Sequence, residues 1–323
     1  MFPISSGSTS FRFMAATMTP DVSVVIPVWN GEAFIKDAVG SALGQEGVTV
    51  DVIVVDDAST DRTVEVVTAI ADVRVRIIRH TRNAGPGAAR NTAFAQATGR
   101  WLAVLDADDT MEPDRLRHLV DLADSAGVTI VADNLRLMPS GAPMFGPEFF
   151  PRDGILHLED LVASERLFVK RWTLGYLKPL FARDFVLSNA MSYRTDIQIG
   201  EDFIFLADCL ASSARMCVDP VPRYNYSVRE GSISSRTAQS HVNQMLRAQS
   251  AFEDRHHLRP EWQSALAKRR AGLEAAAAYL TIVDHVKARR FGSAFAAAIA
   301  HPRGALLLRL PIRARLRRLR GRP

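Results

Sequence analysis

From residue 22 the chain alternates short apolar runs with longer amphipathic stretches. Residues 22–28 (VSVVIPV), 50–55, 73–78, 101–105 and 128–132 are compact, largely β-branched or aromatic runs of the buried-strand type. Between the first two, Phe34, Ile35, Ala38, Val39, Ala42 and Leu43 recur at helical spacing. Val64, Val67 and Ile70 mark a second helix, with Ser59 or Thr60 as the expected N-cap. A third helix is predicted from Gly85-Pro86-Gly87 to about Ala97, and a fourth after Pro113. Strands separated by helices predict parallel βαβ units and an open α/β sheet.

The alternation stops after residue 135. Pro139, Pro143, Pro147 and Pro151 mark loops and edges, and a helix over 201–212 leads to a strand around Met216 and the aromatic stretch Tyr224-Asn225-Tyr226. Residues 237–300 read as helices rich in Ala and charge. No repeat of 20–50 residues is visible, which excludes a solenoid or propeller. The expected organisation is an N-terminal disordered arm (1–20), an α/β ligand-binding half (21–135), a second half (136–236), a helical extension (237–300) and a basic tail (301–323).

Open α/β sheets bind ligands outside the carboxyl ends of their strands. Polar clusters fall at those ends: Asn30 after the first run, Asp56-Asp57 after the second, Asp106 to Asp109 after the fourth. Carboxylates gathered there repel one another unless a cation or a ligand donor lies between them. Asp106-Ala107-Asp108, if extended, points two hard oxygen ligands the same way, which suits Mg²⁺ or Mn²⁺ with phosphate oxygens. A lone D-x-D is weak, because acidic turns are common; its position at a strand end gives it weight. Asp56-Asp57 can accept from the N–H of a base or from a ribose hydroxyl, or one of the pair can cap a helix with Thr60 or Asp61. Gly85-Pro86-Gly87 opens a helix whose N-terminus favours an anion, and Arg90 adds a planar donor fork. Gly85 and Gly87 also match the start of a dinucleotide fingerprint, but Arg90 stands where its third glycine belongs and the match follows the third strand, not the first.

Composition adds limits. The chain has 323 residues, of which 47% are hydrophobic and 23% charged, which is ordinary for a folded protein. No run approaches 18 apolar residues, so no bilayer-spanning helix is predicted, and residues 1–20 lack the pattern of a secretory signal. Two cysteines, Cys209 and Cys217, fit a reducing compartment and inert buried thiols, which places the protein in the cytoplasm. His256-His257 reads as a solvated helix end.

With these motifs in order, the segments VSVVIPVWNGEAFI, VIVVDDASTDRT and RNAGPGAARNTAFAQATGRWLAVLDADDTMEPDRL resemble the nucleotide-sugar half of family 2 glycosyltransferases. The likeness is nearly continuous over 22–117 and extends loosely through Gly200-Glu201-Asp202 and Arg229 to Ser234. It implies a GT-A fold, a nucleotide-sugar donor (a UDP-sugar), a divalent cation and inversion at the anomeric carbon. By the same resemblance, Pro27, Val28 and Asn30 line the nucleoside pocket and Asp56 accepts from the uracil N–H, with Asp57, the other half of the acceptor pair, a further donor-binding candidate. Arg90 approaches the base or diphosphate. Asp106 and Ala107 face the ribose and metal, and Asp108 ligates the metal directly. Asp202, following Glu201 on the acceptor side, is the general base, and Arg229 and Ser234 belong to a loop that closes over the diphosphate. Trp172, Tyr176, Lys178 and Phe181 form a candidate acceptor cluster or ordinary packing. Without the Gln-x-x-Arg-Trp motif of processive synthases, a single-addition enzyme is expected, acting on a lipid-linked or polysaccharide acceptor.

A sugar nucleotidyltransferase would want a Gly-rich basic loop where Pro27-Val28-Trp29-Asn30-Gly31 stands. A non-catalytic nucleotide-sugar-binding or membrane-scaffold module is the remaining alternative. The net charge of +5 is local: residues 301–323 carry eight arginines and no acid, so 32 basic residues face 35 acidic ones in the rest. With interleaved leucines, this tail reads as an amphipathic contact for the anionic inner face of a membrane, or as a solubilising tail. Nucleic-acid binding is disfavoured, since nothing but the tail supports it.

Overall fold

The structure is a computed structural model that describes residues 19–165, 172–229 and 238–309. Most of the expected arm and most of the basic tail lie outside the described residues. Four parallel strands follow the predicted apolar runs: β1 (Val22–Val28), β2 (Val50–Asp56), β3 (Val75–Arg79) and β4 (Trp101–Val104). They stand in the order β3-β2-β1-β4, with Val22 paired to Val50 on one side and Trp101 on the other. Helices α1 (Ile35–Leu43), α2 (Thr63–Thr68) and α3 (Pro86–Gln96) connect them. β1 and β2 are buried on both faces, which their continuous Val and Ile content anticipates. Ser23 is tolerated inside because its hydroxyl donates to Asp51 (2.6 Å) and accepts from Gly99 N (2.9 Å).

Pro27 lies near the end of this central strand, where a missing N–H would ordinarily break the ladder. Pairing of β1 with β4 stops at Val25–Val104, so on that side β1 has already become an edge. The two strands part there, beside the turn that carries Asp106 to Asp109.

The rest of the chain completes the same sheet. β5 (Thr110–Met111), α4 (Arg115–Ala126) and β6 (Ile130–Met138) are followed by β7 (Ala142–Pro143), β8 (Ile155–Leu156) and α5 (Leu158–Ser164). β9 (Leu180–Ala182) leads to α6 (Arg183–Ser188), α7 (Glu201–Ala211) and β10 (Met216–Ser227). β9 runs antiparallel between β4 and β6, and β10 lies parallel to β6, so the parallel character belongs mainly to the first half. The sequence boundary at residue 135 falls inside β6. Asp133 and Asn134, which follow the apolar run 128–132, are both buried: Asp133 pairs with Arg115, and Asn134 donates to the carbonyls of Phe145 and Pro220. Helices α8 (Gln239–Arg255), α9 (Pro260–Lys287) and α10 (Phe291–Ala300) occupy the span expected as a helical extension, and α11 (Pro302–Leu306) lies beyond it, at the start of the segment expected as a basic tail.

Two local expectations fail. Neither Ser59 nor Thr60 caps α2, which starts at Thr63 without a side-chain cap; both are drawn to Asn30 instead. His256 is not a solvated end: its ring lies against Phe252, and Nε2 sits 2.8 Å from Asp208. Cys209 and Cys217 are free and buried, as expected.

Candidate active site

The loops at the carboxyl ends of β1 and β2 are laced together. Asn30 adopts φ 52°, its N–H donates to Ser59 Oγ (2.8 Å), and its Oδ1 accepts from Thr60 N (2.8 Å). Asn30 thereby ties the loop after β1 to the loop after β2. Asp56, fully buried at the end of β2, accepts Ser59 N–H at Oδ1. Its Oδ2 has no hydrogen-bond donor among the described residues; the nearest cation is Arg79 Nε at 3.8 Å. A buried carboxylate oxygen without a donor is costly unless a ligand supplies one. Asp57 is different, because its oxygens take Ala84 N, Gly85 N (2.7 Å) and the His80 ring (2.7 Å). It fixes the entry to α3, where Gly85 stands at φ 87°.

Arg90 projects from α3 into the protein. Its guanidinium meets Asp106 (2.9 Å), Glu201 (3.0 Å) and Asp202 (2.8 Å), and it lies over the Tyr193 ring. Lys178, from the segment before β9, reaches Asp106 and Asp202 at 2.8 Å each. Two buried cations thus tie the turn after β4 to the N-terminus of α7. Burial opposes the charge on each cation, yet the carboxylates prevail and hold both more firmly protonated than usual. Burial would likewise raise Asp106, but Lys178 and Arg90 hold its carboxyl well below the usual range.

The D-x-D segment is not extended. Asp109 N donates to the Asp106 carbonyl, closing a turn that sends Asp106 inward and Asp108 outward. Asp108 is about two-fifths exposed, with Arg229 Nε 3.8 Å away. Burial and then the Asp106 charge push its carboxyl upward. Asp109, which the sequence reading left without a separate role, anchors the turn by accepting from Tyr224 Oη (2.8 Å) and Ser227 N (2.7 Å). Tyr224 Oη in turn accepts from Asp106 N. Beneath it, Arg115 pairs with Asp133, both wholly buried, and donates to the Lys178 carbonyl (2.6 Å). The sequence gives Tyr193, Tyr224, Arg115 and Asp133 no site role, because the partners that define one, such as Asp109 for Tyr224 and Asp133 for Arg115, are distant in the chain.

The acceptor cluster divides. Lys178 belongs to the carboxylate network, and Phe181 to the core with Phe94 and Phe205. Trp172 and Tyr176 instead meet Tyr226, each pair of rings edge-to-face at 5.3–5.9 Å. Pro27 and Val28 line the opening of β1, and Ala107 occupies the turn. Arg229 stacks on Phe34 and donates to the Asp108 carbonyl (3.3 Å). Ser234 lies outside the described residues.

Five carboxyl groups (Asp106, Asp108, Asp109, Glu201, Asp202) face three cations here. Among the described residues no three acidic, His or Cys side chains converge as a metal cage. Asp108, turned outward with two-fifths of its side chain exposed, is nevertheless a hard oxygen ligand of the kind Mg²⁺ or Mn²⁺ takes one or two of. Such a turn at the switch point of an α/β sheet, joined to an acidic helix start, is the arrangement that the resemblance to GT-A glycosyltransferases implies. The profile of glycosyl transferase family 2 matches residues 23–141. The succinoglycan biosynthesis protein ExoO of Rhizobium meliloti is 42% identical over 311 residues, covering 95% of this chain and 89% of that protein. ExoU of the same organism is 30% identical over 90% of this chain and 86% of its own. This chain belongs to glycosyl transferase family 2. The fold agrees: S. aureus TarS in complex with UDP-GlcNAc superposes with TM-score 0.63 at 18% identity, over 88% of this chain and 92% of that one. The mannosyltransferase PcManGT from Pyrobaculum calidifontis, with GDP-Man and Mn²⁺, gives 0.61 at 21%, over 93% and 81%.

Proposed function

We propose that this protein is an inverting glycosyltransferase that moves a sugar from a UDP-sugar to a hydroxyl of a lipid-linked or polysaccharide glycan. The observation that carries this reading is the pair Arg90 and Lys178, which hold Asp202 against the Asp106 turn. In this reading the base and the donor turn, the two ends of a displacement reaction, sit side by side. The relatives' part in succinoglycan biosynthesis supports a polysaccharide product. The donorless Oδ2 of Asp56 supports recognition of a base N–H such as that of uracil.

In this reading Pro27, Val28 and the Asn30 loop line the nucleoside, while Asp57 positions α3 and touches no ligand. Asp106, with both oxygens on cations, orients the site. Asp108 is left as the protein ligand for Mg²⁺ or Mn²⁺, which would neutralise charge on the departing diphosphate. Arg229, with the Ser234 loop, adds positive charge on the same side. Asp202 takes the acceptor hydroxyl proton as that oxygen bonds to the anomeric carbon, and the bond to the diphosphate breaks with its electron pair. Trp172, Tyr176 and Tyr226 offer ring edges and faces to the acceptor sugar, beside Glu201. The Arg-rich segment 301–323 is drawn to an anionic leaflet.

Asp202→Asn tests the base. Transfer from UDP-sugar should collapse while UDP still protects against thermal unfolding. Turnover near that of the wild type would remove Asp202 from the role.

A further inference from the structure

Five of the twelve large apolar side chains that stand exposed among the described residues fall within residues 286–306. Phe291, Phe295 and Ile299 are 65–67% exposed, and Leu306 is 59% exposed. The first three lie four residues apart, so they form one stripe along α10. The opposite side of α10, with Ala294 buried, packs on α9. None of the ten residues of α10 is charged, although a solvent-facing helix ordinarily is on its outer side.

Cations bracket this stripe. Lys287, Arg289 and Arg290 precede it, Arg303 and Arg309 follow it, and all five are exposed. None of them pairs with a carboxylate among the described residues. Asp284 is the last acid of the chain, so residues 285–323 hold eleven Lys and Arg against no acid. An apolar stripe with cations at both ends matches an anionic lipid surface: the rings enter the acyl boundary and the guanidinium groups reach the headgroups. Pairing with a second copy is disfavoured, because a two-fold contact along α10 would set the arginines of both copies against each other.

We propose that α10 is an interfacial membrane helix, inserting Phe291, Phe295 and Ile299 into an anionic leaflet with Arg289, Arg290 and Arg303 at the headgroups. This deepens the membrane reading of the tail and assigns insertion to a different element. The mount is rigid. A Cβ at Gly304 would lie 2.6 Å from Ala278 Cβ and 3.0 Å from Ala275 O, so α11 is pressed onto α9. α9 packs in turn on α8 and α5, and both contact α7, which carries Asp202.

Flotation of the full chain with phosphatidylcholine vesicles, with and without phosphatidylglycerol, tests the proposal. The wild type should float with the anionic vesicles alone. Phe291→Ser/Phe295→Ser should bind them about thirtyfold or more weakly, since two aromatic side chains no longer leave water. Its UDP protection should be unchanged. The indole introduced by Phe295→Trp should be quenched by brominated lipid. A further variant, with Arg313, Arg315, Arg317 and Arg318 changed to Gln, separates the tail from the stripe. If the serine variant floats like the wild type, or the indole of the Phe295→Trp variant escapes quenching, insertion by α10 is wrong while the tail reading stands. If the wild type never floats, both fail. If the wild type self-associates without lipid and the serine variant does not, the stripe is a protein interface and the proposal is overturned.

Discussion

Replacing Arg115 by methionine keeps most of the side-chain volume and removes one charge from the centre of the molecule. Arg115 and Asp133 are fully buried, joined by contacts of 2.8–3.2 Å. Truncating one member of such a pair leaves the other without its counter-charge, at a cost of about 3–5 kcal/mol. The lost bond to the Lys178 carbonyl falls within that figure. For a chain of this size the midpoint temperature should fall by roughly 6–10 °C, at about 2 °C per kcal/mol. Adding Asp133→Asn removes the stranded charge and keeps an acceptor for the N–H of Arg223. The double variant should therefore be more stable than Arg115→Met alone, a rescue that independent sites do not show. Urea unfolding followed by tryptophan fluorescence measures all three. A loss under about 1 kcal/mol for the single change, or a double variant no better than the single, would refute the buried-pair argument.

Asp108→Ala should abolish the extra thermal protection that Mn²⁺ gives to UDP binding and leave metal-free UDP protection nearly intact. Equal protection of both proteins with Mn²⁺ would move the metal elsewhere. Burial, followed by Asp106 and Asp108, pushes the Asp109 carboxyl well above its ordinary value, so the native state holds that proton more tightly than the unfolded chain. Stability is then lost as pH rises from the unfolded carboxylate range through the native one, and the midpoint difference between Asp109→Asn and wild type should grow in favour of the variant from pH 4 to 8. A difference constant with pH would contradict this. Gly99→Ala should cost about 1–3 kcal/mol, because its Cβ would lie 2.4 Å from Ser23 N, a backbone atom that cannot yield. Gly272→Ala, with open space around it in α9, should instead stabilise by about 0.5–1 kcal/mol on thermal unfolding.

The first half of the fold was legible because β1, β2 and β4 are buried on both faces and separated by amphipathic helices. There the short length and β-branched content of each apolar run, against the 3.6-residue spacing of the helices between them, separate strand from helix. The strand-end clusters were legible for the same reason, since Asn30, Asp56 and Asp106 interrupt apolar runs. The direction of each carboxylate was not. Asp106 and Asp108 part because of one turn hydrogen bond, and Asp57 is consumed by backbone N–H groups 27 and 28 residues away. Lys178 could not be read as a partner of Asp106 and Asp202, since only the insertion of β9 brings it there. β6 was truncated at Ala132 because buried Asp133 depends on Arg115 from another element. Such long-range pairing leaves no local pattern.

The placement of β9 has a further consequence, for synthesis and for engineering. β4 and β6 are both made before the strand that joins them, so each presents an unpaired edge until residues 180–182 leave the ribosome. Until then Asp106 and Arg90 also lack Lys178 and the start of α7. The nucleotide-facing half is therefore not a detachable cassette. A chimera spliced near residue 135, meant to graft a new acceptor specificity, must inherit β9 and the start of α7 with it or forfeit the charge balance of the donor turn.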